Sequence, residues 1–155
     1  MRHYINLPHK ALVKLIIFVK AREVICLVTF IILVSASLRL YHLYSLPSVL
    51  FGDEAADGLD ALSIISGNRP IFLTENNGRE PLHAYLVALS TNVLGRTPAA
   101  VRLPSALAST LTILAIFLAT QAIIGTRIAL ITSIIVGFTV WPIMLGRLAT
   151  RPALL

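Results

Sequence analysis

Residues 103–124 read LPSALASTLTILAIFLATQAII, a stretch of 22 positions without a charged side chain. About 20 consecutive apolar residues are enough for a helix to cross the hydrocarbon core of a bilayer. Pro104 suits the start of a helix, where its missing N–H costs no hydrogen bond. The serines and threonines in the stretch suit packing against other helices. The stretch therefore predicts a transmembrane helix over residues 103–124.

A shorter apolar run precedes it and predicts a first transmembrane helix over residues 24–40. Its uncharged part is shorter than the usual span, so we expect Arg22 and Arg39 to snorkel to the two interfaces. A cleaved signal peptide is the alternative, because a basic start, an apolar core and the small residues of Val34-Ser-Ala36 also occur here. Under both interpretations the chain emerges on the far side after Arg39.

A third apolar run follows and predicts a transmembrane helix over residues 128–145. Trp141 lies near its outer end, where an aromatic anchor is expected. Residues 125–127 are too few for anything but a tight turn between the second and third helices. The predicted fold class is therefore an all-α integral membrane protein with three transmembrane helices and one long outer loop.

The overall composition agrees with a membrane protein and disfavours a soluble one. Hydrophobic residues make up 57% of the chain and charged residues 13%, whereas soluble domains carry about 25% charged residues. The formal net charge of +6 is spread over single lysines and arginines, without the basic patch that a nucleic-acid partner would need. Cys26 is the single cysteine and lies inside an apolar run, so it predicts neither an internal disulfide nor a metal site.

The distribution of basic residues predicts the orientation in the membrane. Residues 1–23 contain five lysines and arginines, which favours a cytoplasmic N-terminus. With three spans, the loop 41–102 and the segment 146–155 are then extracytoplasmic and the turn 125–127 is cytoplasmic. The plasma membrane, the inner membrane in a two-membrane envelope, is the expected location.

The long loop predicts two short amphipathic helices lying along the membrane surface. The first is expected over residues 53–66 and should end at Gly67, and the second should start at Pro81 and end at Gly95.

The first loop helix begins with the acidic sequence FGDEAADGLD of residues 51–60. On a helix, Asp53, Asp57 and Asp60 would share one face at i, i+4 and i+7. A solvated face of an interfacial helix is the simplest interpretation, and we expect Asp57 and Asp60 to be solvated. Asp53 directly follows Gly52, where the loop turns into the helix, and is the candidate to face a substrate.

Five short motifs occur in an order that resembles a known family. They are LRLY at residues 38–41, FGDEA at 51–55, GREPLH at 78–83, VRLPSA at 101–106, and the two arginines of GRLATRP at 146–152. Together they resemble the N-terminal part of the C-superfamily membrane glycosyltransferases, in the group of the protein O-mannosyltransferases and the lipid A aminoarabinose transferases. The resemblance implies that the sequence is a fragment of a larger polytopic fold, and that this fragment alone is inactive.

The resemblance also implies a function. Such enzymes move a sugar from a polyprenyl-phosphate donor to a hydroxyl of an acceptor protein, lipid or glycan on the extracytoplasmic side. The aspartate of the family's Asp-Glu pair is essential, which makes Asp53 the expected catalytic residue and general base. The expected substrate-binding residues, with the arginines meeting phosphate, are Glu54, Arg79, Glu80, His83, Arg102, Arg147 and Arg151.

The sequence leaves open the role of Glu80 and the presence of a divalent cation. Glu80 stands where some relatives have a residue that contacts phosphate, so it could instead contact the acceptor. No metal site is assigned, although a divalent cation on Asp53, Glu54 and Glu80 is chemically possible.

The alternative function is a non-catalytic membrane anchor or transport module whose acidic loop binds a partner. A reading frame with further spans would favour the transferase.

Overall fold

The structure, a computed structural model, describes residues 9–73 and 80–149, with side chains described from Val19 onward. Over these residues the chain forms six α-helices. They are α1 (His9–Leu40), α2 (Gly52–Ile65), α3 (Leu82–Leu94), α4 (Pro98–Ile123), α5 (Thr126–Phe138) and α6 (Val140–Arg147). The helices α2 and α3 pack against each other and against α4, at the end of the bundle formed by α1, α4, α5 and α6.

Two of the described helices are long and apolar enough to cross a membrane. They are the Val19–Leu40 part of α1 and the whole of α4. The pair α5 and α6 meets the same criterion only together, and the pair is bent by 56° at the residue between them. The predicted fold class is confirmed: the chain is an all-α integral membrane protein with two or three candidate spans.

The third predicted helix, over residues 128–145, is broken in the structure. Thr139 adopts an extended conformation, with φ −68° and ψ 136°, between α5 and α6. Pro142 is the third residue of α6. Because proline has no N–H, it cannot donate the helical hydrogen bond to the carbonyl four residues earlier, at the end of α5. The break frees backbone carbonyls at the end of α5, which need other donors inside an apolar layer.

Arg39 supplies one of these donors. Its Nη1 and the Ser35 hydroxyl both donate to the Gly137 carbonyl, at 3.1 Å and 3.0 Å, and its Nε donates to Ser109 Oγ at 2.9 Å. The expectation that Arg39 snorkels to the interface is wrong, because the side chain is fully buried. A cation at the C-terminus of a helix also interacts favourably with the helix dipole.

The helix ends differ from the predicted ones mainly for the spans. The helix α1 extends from His9 through the predicted span 24–40, and α4 begins at Pro98, before the predicted span 103–124. Thr97 caps α4 by accepting from the Ala100 N–H at 3.2 Å. The loop helices lie within one residue of their predicted ends. Gly67 (φ 113°) and Gly95 (φ 76°) follow them in conformations that favour glycine.

Gly146 allows α6 to approach α4, and this contact gives a prediction. A Cβ at Gly146 would lie 2.6 Å from both Cβ and Oγ of Ser109, so Gly146→Ala should cost about 1–3 kcal/mol through overpacking. The control is Gly137→Ala on the same bent pair, whose Cβ would make only ordinary contacts of 3.6–3.7 Å. Thermal unfolding of the detergent-solubilised protein should show a lower midpoint for Gly146→Ala than for Gly137→Ala. Equal midpoints would contradict the close approach.

Candidate functional site

The two neighbouring acidic residues at the start of α2 have opposite environments. Asp53 is exposed, whereas Glu54 is 1% exposed. Successive residues of a helix point about 100° apart, so one carboxylate of the pair faces outward and the other faces the bundle. Only Asp53 is therefore open to a molecule arriving from solvent.

Glu54 accepts four hydrogen bonds, two on each carboxylate oxygen. Arg102 contributes a bidentate contact, with Nε 2.9 Å from Oε1 and Nη2 3.0 Å from Oε2. The backbone N–H of Phe51 donates to Oε2 and that of Ala149 donates to Oε1, each at 3.0 Å. These contacts use the accepting capacity of a carboxylate, which has about four lone-pair directions.

Arg102 also has a hydrogen-bond acceptor for each of its N–H donors. Besides its two contacts with Glu54 it donates to three carbonyl oxygens of the segment between α1 and α2: Leu43 at 3.3 Å, Pro47 at 2.9 Å and Val49 at 3.1 Å. A guanidinium has five N–H donors, and all five have acceptors here. Since the side chain is fully buried, the pair with Glu54 is a buried, fully hydrogen-bonded ion pair.

The environment of Glu54 lowers the pKa of its carboxyl group. Burial acts in the opposite direction and is the largest single influence. The hydrogen bonds from Arg102, Ala149 and Phe51, together with the positive charge of Arg102, outweigh it. The ionised form of Glu54 is therefore the form that the folded chain favours.

A second buried polar row joins α2, α3 and α4. Asp57 Oδ2 lies 3.2 Å from His83 Nδ1, although the ring N–H is not aligned for a hydrogen bond. On its other side His83 Nε2 lies 3.2 Å from Ser105 Oγ. Asp57 and His83 are each 3% exposed and Ser105 is 0% exposed. The expectation that Asp57 is solvated is wrong, because α3 covers it.

The order aspartate, histidine, serine is the order of a hydrolytic triad, in which the serine attacks the substrate. Ser105 is closed off from solvent here, so a substrate cannot reach its hydroxyl. We interpret these three side chains as polar contacts that hold α2, α3 and α4 together. His83 accordingly lies inside the packing of α3.

The remaining predicted residues lie apart from these two clusters. Glu80 is exposed just before α3. Arg147 is partly exposed and donates to three carbonyl oxygens around the end of α1: Leu38 at 2.8 Å, Arg39 at 3.4 Å and Leu46 at 3.1 Å. Arg79 and Arg151 lie outside the described residues.

The structure also bears on the possible divalent cation. Among the described residues, no group of three or more His, Cys, Asp and Glu side chains is arranged to hold a metal ion. Glu54 has no accepting direction left for a metal, because its four are used by N–H donors. A cation shared by Asp53, Glu54 and Glu80 therefore does not fit this arrangement.

The lowered pKa of Glu54 predicts an acid-sensitive contribution to stability. An unfolded glutamate has a pKa of about 4.3. With a lower pKa in the folded chain, Glu54 contributes stability above that value and loses it as the pH falls through the folded pKa. Glu54→Gln should therefore lower stability at pH 7 and reduce the further loss below about pH 4.3.

The measurement is the free energy of unfolding of the solubilised protein from pH 7 to pH 3. Glu80→Gln is the control, since it removes the same charge at an exposed position. A Glu54→Gln profile parallel to that of wild type would contradict the assignment.

One comparison identifies the family of the chain. Residues 78–155 match the family described as dolichyl-phosphate-mannose-protein mannosyltransferase. No curated protein and no solved structure gives a significant match. The matched half covers α3, α4, α5 and α6, which include His83, Arg102 and Arg147. The chain belongs to the dolichyl-phosphate-mannose-protein mannosyltransferase family, whose type of reaction is glycosyl transfer.

Proposed function

We propose that the complete protein transfers a sugar from a polyprenyl-phosphate donor to an acceptor hydroxyl, with Asp53 as the general base. The observation that carries the proposal is the difference in exposure at the start of α2: Asp53 is exposed to solvent, while Glu54 and Asp57 are buried. Family membership supports the reaction type.

The chemistry requires a base and a stabilised leaving group. Asp53 takes the proton of the acceptor hydroxyl as its oxygen attacks the anomeric carbon of the sugar. The bond from that carbon to the phosphate oxygen breaks on the opposite face, so the configuration inverts and polyprenyl phosphate leaves. Arg147, and by sequence Arg79 and Arg151, are the cations proposed to meet the phosphate.

Glu54 and Arg102 have an indirect role in this proposal. Their contacts fix the first turn of α2 against α4 and against the backbone at Ala149. A catalytic carboxylate needs such support, because a displacement of about 1 Å is enough to weaken catalysis. We therefore propose that this pair positions Asp53 and that the Asp57–His83 contact holds the rest of α2.

The proposal places the loop 41–102 outside the cytoplasm and the N-terminus inside. The basic residues of the N-terminal segment support this orientation. Lipid-linked donors carry their sugar at a membrane surface, which suits a carboxylate on a short helix at the end of a bundle.

An accessibility experiment tests the orientation. In a Cys26→Ser background, Arg69→Cys should react with a membrane-impermeant thiol reagent in intact cells, since Arg69 is exposed after α2. Arg127→Cys, in the first turn of α5, should react only after permeabilisation. The opposite labelling pattern would reverse the proposed topology.

A substitution experiment tests the base. Asp53→Asn keeps the size of the side chain but removes its basicity, so turnover should fall by about 10²–10⁴-fold. Asp60→Asn is the control about two turns further along the same helix. Asp60 is half-buried rather than solvated, and its Oδ2 is shielded from solvent. Because a charge that takes no proton in the reaction acts weakly at that distance, turnover should stay within about threefold. Asp57→Asn is unsuitable as a control because Asp57 is buried against His83.

The assay is transfer of radiolabelled sugar from a lipid-linked donor by the complete protein, at matched expression and saturating donor. Near-normal turnover by Asp53→Asn would refute the assignment of the base. No transfer by wild type, whatever the donor, would favour a membrane anchor or transport module instead.

A further inference from the structure

A groove of about 980 Å³ lies between α1, α4 and α5, at the end of the bundle opposite to α2. Its floor is formed where Val28 and Phe117 pack with Ala129. The apolar side chains that line its wall include Val24, Val28, Ile32, Leu114, Phe117 and Leu118. The groove therefore offers a long hydrophobic surface within the span.

The mouth of this groove is polar and carries a net positive charge. Lys20, Glu23 and Arg127 line it, which gives two cations and one carboxylate. Gln121 donates to Thr126 Oγ1 at 3.3 Å and closes the rim between α4 and α5. An apolar wall below two cations is complementary to a lipid with an anionic headgroup.

The groove is separate from the proposed reaction site. Val24 in its wall and Arg39 at the other end of α1 are 15 helical positions apart in the sequence, which corresponds to about 22 Å. A sugar donor bound at the Asp53 end would have its phosphate near the opposite membrane surface. The cations of the groove thus face the other leaflet.

We propose that this groove binds one anionic glycerophospholipid from the leaflet at the N-terminal end of α1. Its phosphate lies between Lys20 and Arg127, and an acyl chain follows the apolar wall toward Phe117. The charge favours a lipid over a further helix, because a covering helix would desolvate both cations, at a large cost unless it carried matching acidic residues. A lipid phosphate meets them while staying at the interface.

Native mass spectrometry of the complete protein tests this proposal. The detergent-solubilised protein is titrated with dioleoyl-phosphatidylglycerol, and separately with dioleoyl-phosphatidylcholine, and the fraction carrying one lipid is measured. Phosphatidylglycerol should bind more tightly. Lys20→Gln and Arg127→Gln should each weaken its binding by about fivefold, the effect of one basic residue near an anionic surface.

Two further variants distinguish specific binding of the lipid in the groove from nonspecific electrostatic attraction to the protein surface. Arg22→Gln removes the same charge at the same end of α1, but Arg22 does not line the groove, so binding should change less than twofold. Glu23→Gln removes the carboxylate at the mouth and should tighten binding. Equal losses for Arg22→Gln and Lys20→Gln, no preference for phosphatidylglycerol, or no bound lipid would each overturn the proposal.

Discussion

The buried ion pair between Glu54 and Arg102 is the constraint on which the outer end of the molecule depends. Seven hydrogen bonds meet in it, and together they use the four acceptor directions of the carboxylate and the five donors of the guanidinium. It joins α2, α4, the segment after α1 and the backbone after α6. Removal of one partner would leave an uncompensated charge where water cannot reach it, so these four parts are held as one unit.

This constraint gives the acidic residues of α2 different environments. Glu54 and Asp57 face neighbouring helices and find a cation or a histidine there, whereas Asp53 faces out. An exposed carboxylate on a rigid first turn suits the role of general base that we propose for Asp53, because its position is fixed before the substrate binds. In that proposal, Glu54 positions Asp53 through the hydrogen bonds that fix the first turn of α2.

Local signals in the sequence predicted much of the fold. The apolar runs predicted the long apolar helices α1 and α4, which are candidate spans, and Gly67 marked the end of the first loop helix, since both signals depend only on nearby residues. The sequence could not show that Glu54 and Asp57 are buried, because their partners lie on other helices, Arg102 being 48 positions away. Charged residues on a short helix look the same in sequence whether water or another helix covers them. Pro142 is a local signal for the break at Thr139, but no local pattern reveals the buried donors of α1 that satisfy the freed Gly137 carbonyl.

The most direct test of this account is a double-mutant cycle on the ion pair. Glu54→Gln, Arg102→Met and the double variant are unfolded by denaturant titration in mixed micelles, and the free energies of unfolding are compared. Each single variant should lose about 3–5 kcal/mol because it leaves one buried charge unpaired. The double variant should lose at least about 2 kcal/mol less than the sum of the two, since neither charge is then left alone. Losses that add to within about 0.5 kcal/mol would contradict the claim that this pair holds the outer end together.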